Sequence, residues 1–116
     1  MLTIVHRFHG HGSLRYVYKN GDAIRTHAIT LKYVQNPHRK HSRFAVVISK
    51  KVLKSAVGRN RVRRRVYEIV RHELPHLATP HDIAVMIFSS EVIAMPHEEL
   101  TNLIKQLFTQ ADLYKK

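Results

Sequence analysis

Lys50, Lys51, Lys54, Arg59, Arg61, Arg63, Arg64, Arg65 and Arg71, nine of the chain's 20 lysines and arginines, fall in one stretch whose only acid is Glu68, K-K-V-L-K-S-A-V-G-R-N-R-V-R-R-R-V-Y-E-I-V-R. Arginine at this density is suited to phosphate. Its planar guanidinium makes bidentate bonds to phosphate oxygens, keeps its charge and stacks on bases, whereas lysine supplies charge with less geometric fit. The same stretch keeps Val62, Val66, Ile69 and Val70 on helical spacing, which a disordered basic tail has no reason to do. Those four share one arc, expected to pack on a sheet. Asn60, Arg64, Tyr67 and Arg71 fall opposite in a stripe. Arg61, Glu68 and His72 form a neighbouring stripe with Arg65 at its edge, and Arg63 lies on the other flank. Arg59 and Asn60, near the helix start, add free backbone N–H groups and the positive end of the dipole. A face serving only solubility would mix signs, because like charges at i, i+4 cost stability.

A second constellation suggests hydrolysis. His72-Glu73-Leu74-Pro75-His76 matches H-E-x-x-H, in which two histidines on one helix face bind zinc and the glutamate activates its water. Pro75 sits inside the motif and should end the helix before His76. No third ligand is evident, so the match reads as a coincidence in a chain with 10 histidines. His6, His9 and His11 read as solvated groups that add positive charge in mild acid. There is no glycine-rich phosphate loop, serine elbow or carboxylate pair. With 0 cysteines, disulfides, thiolate nucleophiles and cysteine-ligated zinc are excluded. No catalytic or metal-ligating residue is assigned.

A chain of 116 residues with 44% hydrophobic content and a formal charge of +12 fits one packed domain, residues 1–116, with a polyanion as partner. No apolar run approaches the length needed to span a bilayer, and no signal peptide or membrane partner is read. A cytoplasmic location is expected.

The elements that position the arginines follow from period and punctuation. Residues 1–12, with Gly10 and Gly12, read as an irregular arm. Leu14, Val17 and Tyr18 mark a short helix from Ser13, its cap, to Asn20, with Gly21 as a left-handed stop. Residues 25–34 alternate, Ile29, Leu31 and Tyr33 against Ala28, Thr30 and Lys32, which predicts a strand with one covered and one more open face. Residues 36–40 form a turn with a basic tip, and 44–49 form a second, central strand, expected to pair with the first as a hairpin. The arginine helix runs from about Gly58 to Leu74. Residues 82–89 form a third strand. After Pro96, Leu100, Leu103, Ile104, Leu107, Phe108 and Ala111 give a final amphipathic helix with Glu98 and Glu99 in its first turn. The order α-β-β-α-β-α predicts an α+β sandwich, a small sheet covered by helices.

The run Ser49-Lys50-Lys51, followed by Ala56-Val57-Gly58-Arg59-Asn60-Arg61-Val62-Arg63-Arg64, resembles the signature of the bacterial ribonuclease P protein component. Arg7, Val17-Tyr18, Gly21, the alternating first strand and the closing Leu113-Tyr114-Lys115-Lys116 also fall where that family has equivalents. Leu14, Lys32 and Tyr67 depart from it, standing where an aromatic, an aromatic and an arginine are common.

The resemblance implies a small mixed sheet with helices and a left-handed βαβ crossover through the arginine helix, against the usual right-handed rule. It implies the protein subunit of a ribonucleoprotein that removes the 5′ leader from precursor tRNA. The RNA subunit carries the chemistry with Mg2+, the protein binds no cofactor tightly, and no protein partner is implied. Arg59, Asn60, Arg61, Arg63 and Arg64 would then meet the catalytic RNA, with Arg65, Arg71, Lys50, Lys51 and Lys54 adding contacts. Leu14, Tyr18, Thr30 and Lys32 would line a cleft for the leader. The alternative is a ribosomal-type structured-RNA binding protein with no part in cleavage.

Overall fold

One strand of the sheet, residues 29–35, alternates apolar with polar side chains, while two others, 43–48 and 81–87, are near-continuous apolar runs suited to the covered middle of a sheet. The computed structural model describes residues 11–36, 40–78 and 80–115, with side chains from residue 14 onward. In chain order the elements are α1 (His11–Asn20), β1 (Asp22–Arg25), β2 (Ile29–Gln35), β3 (Arg43–Ile48), α2 (Ala56–Glu73), a 3-10 turn (Leu74–His76), β4 (His81–Ile87), α3 (Glu91–Ala94) and α4 (His97–Gln110). The strands lie in the order β1-β2-β4-β3. β1 and β2 are antiparallel, as are β2 and β4, while β3 and β4 are parallel. This is the expected α+β class with a small mixed sheet.

Register brings the apolar residues into rows. Ile29, Ile87 and Ile48 align, as do Leu31, Val85 and Val46, and Tyr33, Ile83 and Phe44. This face carries the main core, where Val62, Val66, Ile69 and Val70 of α2 and Leu100, Ile104, Leu107 and Phe108 of α4 are buried. Each such side chain contributes about 2 kcal/mol by leaving water. Val17 of α1 is buried on the other face, with Ala84 beneath. α4 ends in a Schellman-type closure: Leu113 N donates to Phe108 O at 3.0 Å, Asp112 N donates to Thr109 O at 3.0 Å, and Asp112 takes φ 57°.

Several expectations are corrected. The first and second strands do not form a hairpin, because β4 inserts between β2 and β3. Chain adjacency favours a hairpin, but the long return through α2 delivers a strand apolar enough for the centre of the sheet. The first strand is two strands: the Thr26 hydroxyl donates to Ile29 O at 2.7 Å and accepts from Ile29 N at 3.1 Å, closing a turn between them. α3 was not foreseen, being only one turn long. α1 begins at His11, so residues 11 and 12 are not part of an arm and Ser13 lies inside the helix. Gly21 stops α1 outside the left-handed region. Glycine is needed there because a Cβ would stand 2.6 Å from Val17 O and 2.8 Å from Tyr33 O. The rest of the arm, with Arg7, His6 and His9, and the turn tip at 37–39 lie outside the described residues.

Candidate nucleic-acid interface

α2 starts earlier than its first arginine because Ser55 caps it. Ser55 has extended backbone (φ −72°, ψ 121°), and its hydroxyl accepts from Gly58 N at 3.1 Å. No acid occupies the first turn to offset the positive end of the helix. The preceding loop is a tight turn in which Val52 N and Leu53 N both donate to Ser49 O, at 3.1 and 3.2 Å. Lys50, Lys51 and Lys54 are exposed on it.

The basic residues of α2 divide by what their guanidinium groups already hold. Arg61 is exposed and engages nothing among the described residues. Arg63 Nη1 donates to Asn60 Oδ1 at 2.6 Å, and exposed Arg64 makes one long contact, Nε to Asn60 O at 3.4 Å. Arg59 Nη1 donates to Leu53 O and Lys54 O, both at 2.8 Å. Arg65 is half-buried and braces the C-terminal end of α3, donating to Val92 O at 3.1 Å, Ile93 O at 3.4 Å and Met95 O at 2.6 Å. Arg71 pairs with Glu68 at 2.6 Å. Tyr67 departs from its expected outward stripe: it packs against the core, and its hydroxyl accepts from Val46 N at 3.4 Å, covering an amide on the free edge of β3.

Ion pairing leaves the basic face open. Among the described residues, Lys50, Lys51, Lys54, Arg61, Arg63 and Arg64 pair with no carboxylate. Apart from Glu68, acids are kept off this face. Asp82, 1% exposed, accepts Arg43 Nε at 2.9 Å and Nη2 at 2.7 Å, with Asn36 Nδ2 at 2.8 Å. Glu98 and Glu99 line a shallow groove along α4 with Pro96 and Leu103, and Glu91 and Glu99 line a second beside α3.

The H-E-L-P-H segment is pulled apart. α2 ends at Glu73, which turns inward to accept from the Tyr114 hydroxyl at 2.7 Å with Lys105 Nζ at 3.9 Å, while His72 faces outward beside Glu68. His76 falls on the 3-10 turn after Pro75. Among the described residues, no group of three or more His, Cys, Asp or Glu is placed to hold a metal ion.

On the sheet face beside α1, Leu14, Tyr18 and Lys32 are half-buried. Lys32 Nζ donates to Tyr18 O at 3.2 Å and stands 5.7 Å from the centroid of its ring, so one ammonium both caps α1 and supports the aromatic. Burial pushes the Tyr18 hydroxyl pKa up. Thr30, expected on the more open face, is only 6% exposed and forms floor rather than surface. Sequence reasoning missed Ala45, Val47 and Met86, which register places on this same face and which remain partly exposed. Their signal was the period of two opposite Val46 and Val85. Phe88, just beyond β4, is exposed.

A family model described as Ribonuclease P matches residues 3–112. The chain is 42% identical over 86 residues to a ribonuclease P protein component of Coxiella burnetii, covering 74% of this chain and 69% of the relative. It is 33% identical over 96 residues to that of a Pseudanabaena species, covering 82% and 81%. Its fold resembles a solved structure of the Staphylococcus aureus RNase P protein, with TM-score 0.84, 21% identity and coverage of 95% and 98%.

Proposed function

The chain belongs to the ribonuclease P protein family, and from that premise we propose that it binds the catalytic RNA through α2 and the lysine loop before it. The same reading gives it the 5′ leader of precursor tRNA on the sheet face beside α1. It thereby assists the endonucleolytic step that produces the mature tRNA 5′ end. The family itself is one of RNA-binding proteins that take part, within a ribonucleoprotein, in tRNA processing.

One observation carries the reading: six cations at and before the first turns of α2, Lys50, Lys51, Lys54, Arg61, Arg63 and Arg64, meet no carboxylate among the described residues. Such a face is repulsive to itself and becomes favourable against a phosphate backbone, where bound counterions are released. Asn60 joins it. Arg59 and Arg65 are tied to carbonyls of the preceding loop and of the end of α3, and Arg71 to Glu68, which sets them apart from Arg63 and Arg64, whose bonds run only to Asn60 on the same face. The phosphodiester chemistry belongs in this reading to the RNA and its Mg2+. The protein's part is electrostatic and positional, holding RNA and substrate together. Leu14 and Tyr18, with Lys32 behind them, offer the leader a partly apolar shelf that reads little base identity. Thr30 supports that shelf from below. The location that follows is cytoplasmic.

The test is cleavage of precursor tRNA by a bacterial ribonuclease P RNA at low magnesium, with and without this protein. Faster cleavage with the protein, and a larger gain for a substrate with a leader of several nucleotides than for one with a single nucleotide, is expected. Unchanged cleavage together with undiminished binding to ribosomal RNA would favour the ribosomal-type alternative.

A further inference from the structure

We propose that Arg59 is a positioning residue, shaping the lysine-bearing loop before α2 rather than gripping RNA itself. This rests on the reading that Lys50, Lys51 and Lys54 meet the catalytic RNA.

The loop between β3 and α2 is held at two neighbouring points of the first turn of α2. Leu53 lies against Gly58, where a Cβ would stand 3.0 Å from Leu53 Cδ2. Arg59 Nη1 reaches back to the carbonyls of both Leu53 and Lys54 at 2.8 Å. Lys54 therefore sits between two carbonyls bound to the same nitrogen, while its own side chain is exposed. Lys50 and Lys51 ride on the turn closed by Ser49 O. Without Arg59, this turn would rest on its own two backbone bonds and the Leu53 contact.

Electrostatics points the same way. Carbonyl oxygens left free among the lysines would present the negative ends of their dipoles to an approaching phosphate. Arg59 turns both toward its own charge and leaves the three ammonium groups facing outward. A guanidinium that swung away to take a phosphate in its fork would release the two carbonyls. Arg61, two residues on, has no such tie and is exposed.

A double-mutant cycle separates positioning from contact. Affinity of the full chain for a bacterial ribonuclease P RNA is measured for the wild type and for Arg59→Gln. It is measured again for the combined Lys50→Ala, Lys51→Ala and Lys54→Ala variant, and for all four changes together. Arg59→Gln alone should weaken binding about tenfold, the scale of a lost charge-assisted hydrogen bond. In the lysine-free background it should weaken binding less than about twofold, because what it positions is gone. Arg61→Ala, as control, should cost the same factor in both backgrounds. Amide exchange at Val52 and Leu53 should quicken in Arg59→Gln, a reading that needs no RNA. If Arg59→Gln fails to fold by circular dichroism, the cycle is run with Arg59→Lys. A full loss persisting in the lysine-free background would show that Arg59 meets RNA directly and overturn the inference, leaving the RNA-binding role intact. Failure of the wild type to bind the RNA would instead overturn that role and the inference with it.

Discussion

Arg71 clasps Glu68 through both carboxylate oxygens, its Nε 3.1 Å from each and its Nη2 2.6 Å from Oε1. The outward face of α2 thus carries its own competitor: a carboxylate holding one guanidinium that could otherwise take a phosphate. The Arg71 hydrogen bonds hold the Glu68 carboxyl down at about 2, and Glu68 in turn raises Arg71.

The first prediction concerns this pair. Glu68→Gln should release Arg71 and strengthen binding to a ribonuclease P RNA about two- to fivefold, the scale of a surface ion pair. The salt dependence should steepen by about one phosphate. Unchanged affinity and salt slope would mean that Arg71 lies outside the footprint.

The same pair predicts a pH response. A carboxyl whose folded pKa lies below its ordinary value stabilises the fold above the ordinary range, and that contribution fades as pH falls toward 2. Both groups are exposed and screened, so the effect on stability is small. The carbon resonance of the Glu68 carboxyl should titrate near 2 in the isolated protein. A midpoint at the ordinary carboxylate value would show that the clasp does not persist in solution.

Arg61→Ala with Arg64→Ala should weaken RNA binding, with the slope of log affinity against log salt falling by about one for each arginine. Both side chains are exposed, so the melting temperature should hardly move. A collapsed circular dichroism spectrum would place these residues in the architecture instead of on the surface.

Asp82→Ala should cost about 3 kcal/mol or more, because Arg43, 5% exposed, would keep a buried charge without its bidentate partner. Adding Arg43→Met should recover part of that loss. Urea denaturation of the two single variants and the double one reads this directly, and simple additivity would refute the coupling.

Tyr114 predicts alkaline behaviour. Burial, followed by the hydrogen bond to Glu73, raises its pKa above the ordinary 10.0. Its contribution is complete below that ordinary value and is lost as pH climbs beyond it, since the unfolded chain gives up the proton first. Tyr114→Phe should lower stability by about 1 kcal/mol at neutral pH and flatten the loss above pH ~10. Parallel alkaline unfolding curves for the two proteins would contradict this.

Much of the molecule was legible in residue order because helical period is local. The arc of Val62, Val66, Ile69 and Val70 is buried as its spacing predicts, and so are Leu100, Ile104, Leu107 and Phe108 of the last helix, with Leu103 partly covered at its rim. Arg61 and Arg64, off that arc and exposed, were equally readable, since side chains away from a buried arc face water unless something intervenes. Tertiary structure decided what intervened. Tyr67 shared a stripe with Arg64, yet it turned to the free edge of β3, whose position depends on a strand order no local pattern encodes. Arg59 and Arg65 looked like their neighbours in sequence and became ties, because unsatisfied carbonyls of the incoming loop and of α3 lay within reach. Glu73 was drawn inward by Tyr114, 41 residues away. Period and composition announce which side chains are available for a task; which of them are already occupied is a question of long-range proximity, and only the folded chain answers it.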